Sequence, residues 1–254
     1  MADHVSVAAE NRVLSIRIDR LEKKNALTRA MYVAMTDALR QAETSTQVRT
    51  ILITGSADCF TAGNDLVDFA NAVPGEASPA IAFLQTLAAA QKPVVAAVNG
   101  IAIGIGTTML LHCDLVYAAS SARFQLPFAN LGLCPEAASS FILPRLMGHH
   151  RAAELLLLGE PFNADVAHGL GIVNGVYADS ELLSEATAKA AQLGEKPPTA
   201  LRVTKALLKH ATADDIAEMM KREIEQFARL LQGPEAKEAM TAFLQRRKPD
   251  FSNF

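Results

Sequence analysis

"NGIAIGIGTTMLLHCD", residues 99–114, joins the end of a β-branched apolar run, "KPVVAAVNG", to a stretch that reads as the start of a helix near Ile105-Gly106. Its glycines let the backbone approach a ligand closely. A helix beginning there aims unpaired N–H groups and the positive end of its dipole at whatever lies in front. Glycines in this arrangement also mark close packing of a helix on a strand, so the pattern alone leaves both readings open. It is not a dinucleotide fingerprint, because the G-x-G-x-x-G spacing is absent and no acidic residue follows about 20 positions on.

Upstream, "CFTAGNDL" (59–66) interrupts the chain after the strand-like run "TILITG". Gly, Asn and Asp supply turn geometry, and the loop offers backbone more than side chains. "RVLSIRID" (12–19) alternates as a half-buried strand does, and "CDLVYAAS" (113–120) reads as another apolar strand before "ARFQLP". Thr28 is placed to cap a helix over 29–43 with Met31, Met35, Ala38 and Leu39 on its apolar face, and Pro79 opens a second helix that Lys92-Pro93 stops. From about residue 136 helical patterns dominate, so the expected architecture is an α/β body with a helical C-terminal end. "GEKPPTA" (194–200) is either a boundary or a sharp helix-to-helix turn.

Half of the 254 residues are hydrophobic, enough for a substantial core in one large domain or two smaller ones. The longest apolar runs are too short or too interrupted for the roughly 20 residues that span a bilayer. "MADHVSVAAENR" lacks a basic-then-apolar signal pattern, so the cytoplasm and no membrane are expected. Cys59, Cys113 and Cys134 are an odd set without C-x-x-C spacing, which suggests neither a disulfide framework nor a zinc knuckle. No His, Cys, Asp or Glu grouping has metal-ligand spacing, and no metal is expected. A net charge of −3 and the absence of Trp give no footprint for nucleic acid, so a small molecule is the expected ligand.

A third loop, "FANLGLCPEAASSFILPRLMG" (128–148), sets Glu136 among Leu131, Leu133, Cys134, Ala137, Ala138 and Phe141. Following Pro135, this glutamate is either exposed at a helix N-terminus or held in an apolar pocket. In a pocket, desolvation would raise its pKa and make it a better base, whereas a helix N-terminus acts in the opposite direction.

In order, "EKKNALT", "FTAGNDL", "NGIAIGIG…CDLVYAAS", "LG…PE…SS…LPRLMG" and "GE.F.A..A...GIV" resemble the crotonase superfamily, the enoyl-CoA hydratase and isomerase group. The likeness runs from about residue 10 to "AFLQRRKPDF". It implies an α/β crotonase spiral of ββα units over 1–195 that carries the acyl-CoA site, and a helical oligomerisation region over 196–254. It further implies homotrimers, often paired into hexamers, and an acyl-CoA thioester substrate that carries its own coenzyme A, with no separate cofactor. By position, the thioester oxygen would be held by the N–H groups of Ala62 and Ile105, which would stabilise the enolate formed when a proton leaves the adjacent carbon. Lys24, Ala26, Gly63, Asn64, Asp65 and Leu66 fall where the family approaches the CoA chain. Phe128 falls beside the acyl site.

Hydratases of this superfamily hold water with two glutamates, at positions occupied here by Thr108 and Phe128. The setting of Glu136 instead is similar to that of Δ3,Δ2-enoyl-CoA isomerases of the peroxisomal type and their bacterial relatives, in which this glutamate is the base. A double-bond shift needs only one carboxylate, to take a C2 proton and return it at C4. "DFSNF" lacks S-K-L, which favours a bacterial cytosolic enzyme of fatty-acid oxidation. A thioester hydrolase or weak hydratase, and a non-catalytic acyl-CoA-binding subunit, stand as alternatives. Arg246, Arg247 and Lys248 would either reach CoA phosphates of a neighbouring subunit or form a solvated charge run. Asp114 is expected to anchor a strand, His112 to sit in the core or an interface, and His149-His150 to lie at a helix terminus.

Overall fold

The computed structural model describes residues 4–65, 67, 68 and 78–254. The chain divides into two units, Met1–Phe124 with Phe162–Ala211, and Gln125–Pro161 with Thr212–Phe254.

In the first unit β1 (Val5–Glu10) pairs antiparallel with β2 (Val13–Ile18). Helix α1 (Arg29–Thr44) begins where Thr28 Oγ1 accepts the Met31 N–H at 3.3 Å, and it buries the expected face of Met31, Met35, Ala38 and Leu39. β3 (Thr50–Thr54) and β5 (Val94–Val98) are buried at every residue, which is why they read as unbroken apolar runs without alternation. Between them lie β4 (Cys59–Thr61) and α2 (Pro79–Ala88), the latter opened by its proline. β6 (Ile101–Ile103), α3 (Ile105–Thr108), β7 (Leu115–Ala119) and β8 (Arg123–Gln125) follow. Asp114 anchors β7 as expected, its Oδ2 accepting the Val94 N–H at 2.7 Å.

The second unit opens with α4 (Ser139–Met147) and α5 (His149–Ala153). The chain then returns to the first unit as β9 (Phe162–Asn163), α6 (Ala164–Gly169), β10 (Gly175–Tyr177), α7 (Leu182–Gly194) and α8 (Pro198–His210). It ends in the second unit with α9 (Ala213–Leu231) and α10 (Pro234–Leu244). The larger sheet has the order β1-β2-β3-β5-β7-β10 and the smaller β4-β6-β8-β9. Successive passes place one strand in each sheet, and helices complete most turns, so the ββα winding expected from sequence is present.

The expected boundary at 195/196 does not match this division, because α8 stays with the first unit. Lys205 on α8 donates to the Lys92 carbonyl at 2.7 Å and to Asp114 Oδ2 at 2.6 Å, which ties the helix to the start of β7. "GEKPPTA" is therefore a helix-to-helix turn. No helix among the described residues is long and apolar enough to cross a membrane.

Candidate active site

The loop after β4 is held almost entirely through its backbone. The Leu27 N–H donates to the Gly63 carbonyl at 2.8 Å and the Asp65 N–H to the Leu27 carbonyl at 2.9 Å, forming a parallel bridge between Leu27 and Asn64. In that pattern the central residue turns its own N–H away from the partner strand. The Gly63 N–H donates to Thr61 Oγ1 at 3.1 Å. The Ala62 N–H, expected to face a thioester oxygen, donates instead to the Lys24 carbonyl at 3.0 Å. With its neighbours satisfied, Asn64 carries the open N–H of this turn: no acceptor faces it among the described residues. Asn64 therefore replaces Ala62 as the candidate donor.

The second donor stands on the adjoining turn. α3 starts at Ile105 after Gly104, whose carbonyl accepts from the Thr107 and Thr108 N–H groups at 2.9 and 3.0 Å. The Ile105 N–H, in the first turn, has no intrahelical acceptor and no other among the described residues. Pairing of β4 with β6 brings the two turns together, and two glycines make the approach close enough. A Cβ on Gly63, whose φ is +89°, would lie 2.7 Å from the Ile103 carbonyl oxygen, and one on Gly106 would lie 2.6 Å from Thr61 Cγ2. The first unit thus presents two open N–H groups on interlocked turns, the arrangement that stabilises a developing oxyanion.

The surrounding side chains mostly hold this frame. Asn64 Oδ1 accepts the Tyr32 hydroxyl at 2.6 Å. Asp65 accepts Arg20 Nη1 at 2.6 Å and also the N–H groups of Val67 and Asp68. Its partial burial raises its pKa, but the Arg20 hydrogen bond and these N–H donors outweigh that and hold the carboxyl below its ordinary range. The Asp65 carboxylate is thus engaged with Arg20 and the loop's own N–H groups. Ala26 gives its carbonyl to the same Arg20 at 3.0 Å. Lys24 is exposed, with its carbonyl on the Ala62 N–H. Leu66 lies outside the described residues. Burial raises the Cys59 and Cys113 thiols to about 11 and about 12, so neither is a thiolate nucleophile at neutral pH.

At the two hydratase positions the structure has the fully buried Thr108 and, in the second unit, the buried Phe128. Glu136, also in the second unit, is half-buried, and its carbonyl accepts the Ser139 N–H at 3.0 Å and the Ser139 hydroxyl at 2.6 Å. Glu136 is not the side chain that caps α4. That role belongs to Glu223 of α9, whose Oε2 accepts the Ala138 N–H at 2.5 Å and whose Oε1 accepts the Ser140 N–H at 3.0 Å and the Ser140 hydroxyl at 2.5 Å. Burial raises the Glu223 pKa, with the Ser140 and Ala138 hydrogen bonds opposing it. Sequence reasoning missed Glu223, although it stands in line with Met220 and Phe227 on the apolar stripe of an amphipathic helix, where a carboxylate is out of pattern. Arg247 pairs with Glu238 at the surface, with both terminal nitrogens on its carboxylate, which holds the Glu238 carboxyl down to about 2.

A family model described as enoyl-CoA hydratase/isomerase matches residues 8–253. Over 212 residues, 81% of this chain, the sequence is 38% identical to enoyl-CoA delta isomerase 2 of Rattus norvegicus, of which it spans 54%. It is 34% identical to the crotonyl-CoA hydratase of Syntrophomonas wolfei, with 98% of each chain covered. The crystal structure of an enoyl-CoA hydratase/isomerase from Pseudoalteromonas atlantica T6c superposes with a TM-score of 0.94 at 42% identity, covering 98% of this chain and 100% of that one.

Proposed function

The chain belongs to the enoyl-CoA hydratase/isomerase family, and from that premise we propose that it is a Δ3,Δ2-enoyl-CoA isomerase acting on acyl-CoA thioesters. One observation carries the choice within the family: Thr108 and Phe128 are buried where a hydratase needs carboxylates, so a two-carboxylate water clamp cannot be built. Glu136 is left as the base. It takes a C2 proton from 3-enoyl-CoA, and the electron pair of the broken C–H bond moves into the thioester carbonyl, giving an enolate conjugated with the C3=C4 bond, a dienolate. The N–H groups of Asn64 and Ile105 hold its oxygen, in place of the pair that included Ala62. Glu136 returns the proton at C4, leaving the C2=C3 double bond, and no cofactor beyond the CoA of the substrate is consumed. The assembly proposed is a homotrimer, or two trimers paired.

Glu136→Gln tests the assignment. A positioned base contributes about 10²- to 10⁴-fold, so isomerisation of 3-enoyl-CoA should fall by at least a hundredfold while a saturated acyl-CoA still binds. Retention of most activity would remove Glu136 from the mechanism. A second reading is kept alive by the 34% identity to a crotonyl-CoA hydratase: water addition to 2-enoyl-CoA, with Glu136 activating the water. Parallel assays of hydration and isomerisation on the wild-type protein separate the two, and faster hydration would select the second.

A further inference from the structure

We propose that Glu223 is a positioning residue, which sets the place of the Glu136 carboxylate through the turn between them; this rests on Glu136 being the base. The turn is unusual. Ala137 and Ala138 adopt φ of +60° and +53°, the left-handed region in which a residue with a Cβ is strained by about 1–2 kcal/mol. Neither is glycine, so their own conformational preference does not hold the turn. The same segment directs the Ala138 and Ser140 N–H groups inward at the start of α4, where no intrahelical acceptor exists.

A single carboxylate meets this demand. Glu223, 6% exposed, accepts both N–H groups and the Ser140 hydroxyl, three donors on two oxygens. Hydrogen bonds to an ionised acceptor are roughly twice as strong as neutral ones, which offsets the backbone strain. Glu136 lies immediately before this turn, and its carbonyl is fixed in turn by Ser139. Without a carboxylate at 223, relaxation of Ala137 and Ala138 to negative φ would rotate the chain at Glu136 and displace its side chain. Gln is no substitute, since its NH2 would face one of the inward N–H groups, donor against donor.

The test compares Glu223→Gln, Ser140→Ala and their double variant in the full-length protein, with 3-enoyl-CoA as substrate and a saturated acyl-CoA as binding probe. A displacement of about 1 Å in a reacting group costs on the order of a hundredfold, so Glu223→Gln should lower kcat by roughly ten- to a hundredfold, with KM and probe affinity within about twofold of wild type. Ser140→Ala, which removes one of the three donors, should lower kcat by a smaller factor with KM again unchanged. The double variant should be no slower than Glu223→Gln, because both act through one contact. Unchanged kcat in Glu223→Gln, or parallel losses of kcat and probe binding, would overturn the proposal. If Glu223→Gln does not fold, Ser140→Ala decides: kcat within twofold of wild type overturns it. Glu136→Gln separates the two readings. Full activity there defeats the base assignment, whereas an inactive Glu136→Gln beside a fully active Glu223→Gln defeats only the positioning role.

Discussion

Ile105 is the site where one backbone hydrogen can be removed with least disturbance. At the first position of a helix the N–H has no intrahelical acceptor and proline's φ is already suitable, so Ile105→Pro deletes the proposed oxyanion donor without breaking a helix bond. Loss of one such donor typically costs about 10²- to 10³-fold in kcat. Ile105→Val, which keeps the N–H, controls for the packing of this buried side chain. A large kcat loss in the proline variant and near-normal kcat in the valine variant is the expected pattern, and equal rates would remove Ile105 from the oxyanion pair. At this scale the sequence was legible at Ile105 and misleading at Ala62. "TAGND" identified a turn with backbone on offer, but which N–H stays open depends on the carbonyls of Lys24 and Leu27, each 38 residues before the N–H it accepts.

The elements were legible where local chemistry decides them. The Thr28 cap, the Pro79 helix start and the apolar runs of β3 and β5 are all local signals, and each element formed where they placed it. What escaped is held together across long sequence separations. Glu223 caps a helix that begins 84 residues before it, and Lys205 anchors α8 to Asp114, 91 residues earlier. The second contact holds α8, which begins at Pro198, with the first unit. Removing one partner of a buried ion pair leaves the other uncompensated, so Lys205→Met should destabilise the protein by about 3 kcal/mol. Urea unfolding would show it as a lower midpoint, and a change below about 1 kcal/mol would mean that the rest of α8 holds the helix in place.

For the whole molecule, the open question is what covers its exposed apolar side chains. Leu207 and Leu208 on α8 are 70% and 79% exposed, and Phe243 and Leu244 on α10 are 61% and 65% exposed. Single exposed hydrophobic residues are ordinary, but consecutive pairs of large ones on two helices are a feature of surfaces that meet a partner. Full burial of each leucine would contribute about 1.5–3 kcal/mol, so a few such side chains repeated in every copy would supply a substantial share of an interface. A net charge of −3 is small enough not to oppose association strongly. For the proposed trimer, sedimentation equilibrium gives three times the 27.1 kDa of one chain, or six times if trimers pair. Leu207→Glu with Leu208→Glu should shift the distribution toward the single chain while leaving its circular dichroism unchanged, because neither side chain is part of the core of its own unit. A wild-type protein that sediments as one chain at micromolar concentration would rule out the proposed trimer, and these leucines would then need another partner.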